Sequence, residues 1–448
     1  MQSSEVCQRD RRPSTYRVVH EVQECVHLTG WGSQMGFSLL KFRPDQPLPE
    51  EGRLSACGEW VSVVTHLDPR YGGLSAAVPR LASAIADTTG FRIKLAAFCA
   101  SDEACSFSES PELPITRWPA SRLAWMKDQH LTRDFRNQLA GADGIHIHGL
   151  WEQSTSAAAN AARALNKPYV LSAHGMLESW ALNNKRIKKA IYSAFAERRN
   201  VQGAACLHAL TRAEAEDYRR FGARLPIAVI PNGVSVPEAI DPEPFFWKFP
   251  SMRGKRIVLF LGRIHFKKGL DILIQAWATV ARKWPEAHLV IAGPDFDETR
   301  ACIEKLVSAH GLDRSVLFTD MLHEQMKWSA LAAAQCFVLP SYSEGLSVST
   351  LEAMGTGLPV IVTEQCNLPD VTRFETGWVI QPNADQLASS LSEFLQNSQT
   401  TNSAIGDRGR QLVRARYTWP TVAAKMSEVY QWVQGTGPLP QFVDLPRN

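Results

Sequence analysis

Two periods alternate along the chain. Short runs of contiguous, often β-branched apolar residues predict buried strands, and between them apolar residues return every three or four positions, as in amphipathic helices. The first unit opens with Glu59-Trp-Val-Ser-Val-Val-Thr-His66, passes the turn Asp68-Pro-Arg-Tyr-Gly-Gly73 and enters a helix over Ser75–Ala86. Strand, glycine turn, helix is the opening of a Rossmann-like unit. Further strands are predicted at Arg92–Phe98, Gly144–His148, Pro168–Ala173, Ala204–Ala209 and Ile227–Ile230, with helices at Ala157–Leu165 and Thr211–Phe221.

A Pro-rich stretch from Pro237 to Pro250 reads as a linker. A second series follows, with strands at Arg256–Leu261, Ala287–Ala292, Ser315–Phe318, Cys336–Leu339 and Pro359–Val362. Its helices fall at Leu270–Lys283, Thr299–His310, Glu324–Ala334 and Leu346–Gly355, and an amphipathic helix over Trp419–Val433 ends the pattern. Two such series predict an α/β chain of two Rossmann-like, doubly wound parallel-sheet domains facing a cleft. The expected division is a disordered extension over 1–57, a first domain over 58–236, the linker 237–250 and a second domain over 251–418. Helix 419–433 is free to pack back on the first domain. Ligands of such sheets bind at the carboxyl ends of the strands, so the cleft is the expected site.

Composition narrows the class. Of 448 residues, 45% are hydrophobic and 21% charged, which excludes global disorder, collagen and coiled coil. A formal net charge of +3 does not suggest a nucleic-acid binder. The nine cysteines are odd in number and form no C-x-x-C pair, which speaks against a disulfide framework or a zinc ribbon and for reduced cytosolic thiols. No apolar run approaches the ~18–20 residues of a spanning helix. The opening residues lack the apolar region of a signal peptide. A soluble cytoplasmic protein, or one peripheral to the inner face of the cell membrane, is expected.

The strongest chemical signal is Glu344-Gly-Leu-Ser-Val-Ser-Thr-Leu-Glu352, straight after a strand. Glu344 is expected at the mouth of a helix and Glu352 about two turns inside it. At ~100° per residue, eight steps leave the two carboxylates on one flank. The amides of Gly345, Leu346 and Ser347 then sit at a helix N-terminus, where unpaired N–H groups and the dipole favour an anion such as a diphosphate. The plainer alternative is a capped helix with a surface glutamate. A second signal is Gly262-Arg-Ile-His-Phe-Lys-Lys-Gly269, between strand and helix. Arg263 and Lys268 place a guanidinium fork and an ammonium on one glycine-bounded turn, which suits a diphosphate leaving group. A solvated basic turn is the alternative.

Read together, these pieces resemble the glycosyltransferase family 4 (group 1) retaining transferases of GT-B fold, over roughly Val61 to Val433. The resemblance is carried by Gly72-Gly73, His174-Gly175, Ile230-Pro-Asn-Gly-Val234, Gly262-Arg263, Lys268-Gly269, Ile291-Ala-Gly-Pro294, Pro340-Ser341 and the Glu344–Glu352 motif. His148-Gly-Leu-Trp151 and His174-Gly-Met-Leu177 look like the branch that builds bacterial exopolysaccharide and lipopolysaccharide. The resemblance implies a nucleotide-diphosphate sugar as donor, a glycan or lipid-linked acceptor held by the first domain, and no metal or other cofactor. It implies that Arg263 and Lys268 neutralise the diphosphate and that Glu352 holds the ribose hydroxyls. Glu344 and the amides of Gly345, Leu346 and Ser347 would touch the donor sugar. Gly72 and Gly73 would let backbone approach the donor, and His174 would lie near the reacting carbon. Ser347, Asp320 and Gln365-Cys-Asn-Leu-Pro369 depart from the family pattern and bear on donor identity. A sugar-nucleotide epimerase, a phosphorylase or a non-catalytic nucleotide-sugar binder are the alternatives on this fold. A phosphorylase would need a pyridoxal-binding lysine context, which is not seen.

Two further features stay open. His146, His148 and His174 read as core or hydrogen-bonding histidines, as acceptor-cleft groups, or, with no acidic partner at ligand spacing, least of all as a metal site. Residues 183–200 carry six basic side chains (Lys185, Arg186, Lys188, Lys189, Arg198 and Arg199) against Glu197, with apolar residues at helical spacing. Such a helix either lies on an anionic membrane or packs through its apolar stripe with a solvated basic face.

Overall fold

The computed structural model describes residues 58–68, 73–99, 113–119, 129–177, 197–295 and 297–446. The first sheet is built from β1 (Glu59–Val64), β2 (Arg92–Ala97), β3 (Ile115–Arg117), β4 (Gly144–His148), β5 (Tyr169–Ser172), β6 (Cys206–Ala209) and β7 (Ile227–Val229), all parallel, in the order β3-β2-β1-β4-β5-β6-β7. The second holds β8 (Arg256–Leu261), β9 (Ala287–Ala292), β10 (Val316–Thr319), β11 (Cys336–Leu339), β12 (Val360–Thr363) and β13 (Gly377–Ile380), ordered β10-β9-β8-β11-β12-β13. A last short strand, β14 (Val443–Asp444), pairs antiparallel with β7. Both sheets reverse their strand order beside their first strand, as doubly wound folds do.

The contiguous apolar runs make central parallel strands because both faces are covered. Every residue of β4, β9 and β11 is buried. In the first domain, the helix Trp419–Val433 lies against the helix Gly73–Thr89. Its Tyr430 stacks on Trp60 of β1 with ring centroids 3.7 Å apart. The chain thus returns to the first domain after completing the second.

The stretch 237–250 is more than a linker. Asp241 Oδ1 accepts from Glu243 N (2.9 Å) and starts the helix Glu243–Lys248. Phe245 of that helix is fully buried in the second core, and Ser329 Oγ donates to Asp241 O. Elements the sequence reading did not assign also form: the helices Gln129–Ala140, Ala384–Gln396 and Gln399–Arg416, and the strands β3, β13 and β14.

Residues 1–57 lie outside the described residues, and so do 183–196 of the basic segment. Arg198 and Arg199 belong to the short helix Arg198–Gln202. Glu197, counted as the charge opposing that face, points inward. It is fully buried, and its Oε1 accepts from Trp151 N at 2.9 Å. Cys99, Cys206, Cys302, Cys336 and Cys366 are free thiols. Among the described residues no helix is long and apolar enough to cross a membrane.

Candidate functional site

The order of the second sheet reverses between β8 and β11, so the loops that follow these two neighbouring strands share one crevice. Two glycines explain how close the loops come. Gly269 ends the loop after β8 with φ +66°, and a Cβ there would sit 1.9 Å from Pro340 O in the loop after β11. Gly293, after β9, has φ +151°, and its Cβ would sit 1.8 Å from Gly262 O. Only glycine fits either position.

This approach brings two predicted site residues together. Lys268 Nζ lies 2.5 Å from Glu344 Oε1, and Ser341 Oγ donates to the same oxygen at 2.6 Å. Both charged side chains are mostly buried. Asn367 Nδ2 donates to Glu344 O, and Glu344 N donates to Gln365 O. The segment Gln365-Cys-Asn-Leu-Pro369, whose sequence departs from the family pattern, therefore supports Glu344 from below. Arg263 is exposed on the same loop and makes no ion pair among the described residues.

Glu344 and Glu352 do not share a helix flank. Ser347 is the N-cap of the helix Val348–Thr356, its hydroxyl accepting from Thr350 N. Glu344 therefore stands in the loop before the helix, and Glu352 sits about one turn inside rather than two. The two carboxylates take different cations. Glu352 is buried and pairs with Lys327 Nζ at 2.6 Å. Lys327 lies on the helix Glu324–Ala333, its ammonium 4.4 Å from the Trp328 ring centroid. Sequence reasoning missed Lys327, because a partner 25 positions away on another helix leaves no local pattern. Gly345 and Leu346 lie in the loop that leads into the capped helix and Ser347 is its cap, so the helix begins two residues later than the sequence reading placed it.

In the first domain Gly72 lies outside the described residues. Gly73 opens the helix Gly73–Thr89, and a Cβ there would meet nothing within 4 Å. His174, two residues past β5, has a left-handed conformation, φ +52°. Its Nε2 is 3.0 Å from His148 Nδ1, and the following amide, Gly175 N, donates to the buried Glu214 at 2.6 Å. No hydrogen bond or ion pair joins His174 to the second-domain cluster among the described residues.

The other histidines form a wired chain. His208 Nε2 must donate to Ile230 O (2.8 Å), since a carbonyl only accepts. Burial pushes His208 down to about 4, so at neutral pH its Nδ1 is an acceptor, and the Ser172 hydroxyl donates to it at 2.6 Å. Ser172 Oγ then accepts from His146 Nε2, and His146 Nδ1 accepts from Tyr430 O–H, both at 2.7 Å. The chain runs in one direction from the helix Trp419–Val433 through β4 and β5 to β6. The two rings of β4 share one face, 3.9 Å apart, as a His-x-His strand requires. Among the described residues no cluster of three or more His, Cys, Asp or Glu side chains is placed to hold a metal ion.

A cavity between the sheets joins the two halves. It is lined by Leu210, Thr211 and Arg212 beyond β6, by Leu346 of the glutamate motif and by Asn367.

The chain has relatives over both halves. Residues 241–412 match the family Glycosyl transferases group 1, and residues 72–233 match the Glycosyl transferase 4-like domain. An uncharacterized glycosyltransferase of Methanocaldococcus jannaschii is 27% identical over 179 residues, 40% of this chain and 45% of that protein. The GDP-mannose:cellobiosyl-diphosphopolyprenol alpha-mannosyltransferase of Xanthomonas campestris is 25% identical over 302 residues, 66% of this chain and 76% of that enzyme. The chain thus spans under half the length of the first and about three quarters of the second. Sucrose-phosphate synthase from Thermosynechococcus elongatus superposes with a TM-score of 0.69 at 20% identity, over 85% of this chain and 100% of that one. WaaG, a glycosyltransferase involved in lipopolysaccharide biosynthesis, gives 0.62 at 18% identity, over 82% and 99%. These superpositions show the fold. With two family matches laid end to end over two doubly wound sheets, the chain belongs to the group 1 glycosyltransferases and has the GT-B fold.

Proposed function

We propose that this protein transfers a sugar, with retention of anomeric configuration, from a nucleotide-diphosphate sugar to a glycan or lipid-linked acceptor in cell-surface polysaccharide synthesis. The observation that carries the reading is the Lys268–Glu344–Ser341 assembly, set beside exposed Arg263 and the mouth of a capped helix at the switch point of the second sheet. Negative charge grows on the leaving diphosphate as the anomeric carbon–oxygen bond breaks. Lys268, Arg263 and the amides of Gly345, Leu346 and Ser347 supply preorganised positive charge there, without a divalent ion or other cofactor. Glu344, held by Lys268 and Ser341, presents its other oxygen and the following amides to the donor sugar. Glu352 accepts the ribose hydroxyls. The acceptor hydroxyl attacks on the face the diphosphate leaves, and its proton passes to the departing phosphate oxygen.

The first domain supplies the acceptor side. Burial and the nearby His208 push His174 down to about 3, so it stands at the β5 end as an uncharged hydrogen-bonding group. Gly73, where an added Cβ would meet nothing within 4 Å, leaves room for the donor. The relatives add support: the Xanthomonas enzyme is named for a diphosphopolyprenol acceptor, and WaaG for lipopolysaccharide. A lipid-linked acceptor fits a peripheral, cytoplasmic-face location, with the basic segment 183–200 as membrane contact. The test is incubation with a panel of nucleotide sugars and detection of released nucleotide. Turnover of one donor, with sugar appearing on a glycan or lipid acceptor and the anomeric configuration kept, is expected. Binding without turnover of any donor would favour a non-catalytic binder, and inversion would refute retention.

A further inference from the structure

Glu352 is not free to meet a ligand in any orientation. Its carboxylate is buried, and Oε1 is bound by Lys327 Nζ at 2.6 Å. Lys327 is itself held from two sides, by the carboxylate and by the face of Trp328. Trp328 packs against the second core, which anchors the lysine to the helix Glu324–Ala333. Oε2 of Glu352 has no hydrogen-bond or ion-pair partner among the described residues. One carboxylate oxygen is thus locked and the other is left to accept. A carboxylate fixed in one rotamer loses less freedom when it accepts hydroxyls than one that must be ordered by the ligand.

We infer that Lys327 is a positioning residue for the donor: by holding Oε1 of Glu352 it aims Oε2 at the pentose hydroxyls, and so sets the preference for a ribonucleotide over a 2′-deoxyribonucleotide. The inference rests on the nucleotide-sugar reading above and deepens it. The lysine acts through the carboxylate and does not touch the sugar itself. Its effect therefore depends on the hydroxyl being present. Removing the ammonium weakens the same carboxylate–hydroxyl contact that removing the 2′-hydroxyl deletes, so their effects on binding should not add.

The test is calorimetric titration of the full chain with UDP, GDP and ADP, each beside its 2′-deoxy counterpart. For the nucleotide that binds, the wild type should prefer the ribose form by about 10-fold or more, the size of a hydrogen bond to a charged group. In Lys327→Met the preference should shrink to about 3-fold or less, while the 2′-deoxy form binds nearly as it does to wild type. Lys327→Arg should keep most of the preference. If the Met variant does not fold, Lys327→Gln carries the test, being uncharged and shorter, and the same narrowing is expected. A variant that weakens both forms equally and keeps the ratio would overturn the role of Lys327 and leave the donor reading standing. No binding of any of the nucleotides by wild type would overturn both.

Discussion

The ammonium of Lys268 and the carboxylate of Glu344 meet at 2.5 Å across 76 positions of sequence, with both side chains mostly out of water. The pair joins the loops after two neighbouring strands, so the cation that faces the leaving group and the acid that faces the sugar are set by one contact. Lys268→Ala removes the cation and frees Glu344 from its partner. Arg263→Ala removes only exposed charge. We expect turnover to fall roughly 10²–10³-fold in either variant with the fold intact. Near-normal turnover of both at saturating donor would refute the placement of the diphosphate.

With positive charge supplied by side chains and helix amides, activity should survive a chelator. Loss in EDTA, restored by Mg²⁺ or Mn²⁺, would show that a divalent ion takes part.

Gly269→Ala should be damaging well beyond one methyl group. Its φ is +66° and the new Cβ would meet Pro340 O at 1.9 Å, so the loops after β8 and β11 must part. A loss of at least about 2 kcal/mol is expected, together with loss of turnover as Lys268 is displaced. A thermal melt and an assay on one preparation check both, and an unchanged melt would contradict the close approach.

Acidification should destabilise the first domain. Burial holds His146 and His148 well below their usual value, His208 near 4 and His174 near 3. These rings stay neutral in the folded chain while the unfolded chain takes up protons below about 6.5. Their contribution is complete above that pH and is lost as pH falls toward the folded values. Burial raises three carboxyls, Glu197 to about 7 and also Glu152 and Asp217, and these work the other way, their contribution growing as pH falls and being lost as pH rises through the folded values, but they are outnumbered by the four rings. A melting temperature that falls steadily from pH 7.5 to pH 5 is expected. A flat profile would mean that the histidine chain is not buried as described.

The basic segment 183–200 predicts salt-sensitive binding to vesicles containing anionic lipid and little to neutral ones, each basic residue contributing about 1 kcal/mol. Replacing Lys185, Arg186, Lys188 and Lys189 with Gln should weaken it and leave donor affinity alone. Equal pelleting of wild type and variant at low salt would identify an ordinary solvated face.

Much of this architecture was legible because strands covered on both faces are largely apolar. Arg256–Leu261, Ala287–Ala292 and Cys336–Leu339 have the bounds expected from their runs alone. The helix Gln399–Arg416 was not legible, since it packs through small residues. A Cβ on Gly406 would meet Gly357 O at 1.8 Å, and Gly409 lies against Met354. Close glycine packing needs no apolar stripe, so no period announced it. The same limit holds in the site. Residue types at 263, 268, 344 and 352 were readable from motifs, but which cation each acid would take was not. Lys268–Glu344 and Lys327–Glu352 depend on how two loops and two helices lie in space. The Glu344–Glu352 spacing misled because the hydroxyl of Ser347 starts the helix late.

The return of the helix Trp419–Val433 to the first sheet bears on how the protein is made. Tyr430 stacks on the fully buried Trp60 of β1, and β7 gains its outer neighbour from Val443–Asp444. A ribosome releases the first domain's strands long before it releases these covers. The nascent first domain must therefore wait, with an open hydrophobic flank, while the second domain is synthesised and folds. Chains stalled before Thr418 should expose that flank to chaperones. A pause just before Thr418 leaves that flank open beside a nearly complete second core, whereas a pause within residues 256–396 leaves both unfinished and should cost at least as much yield.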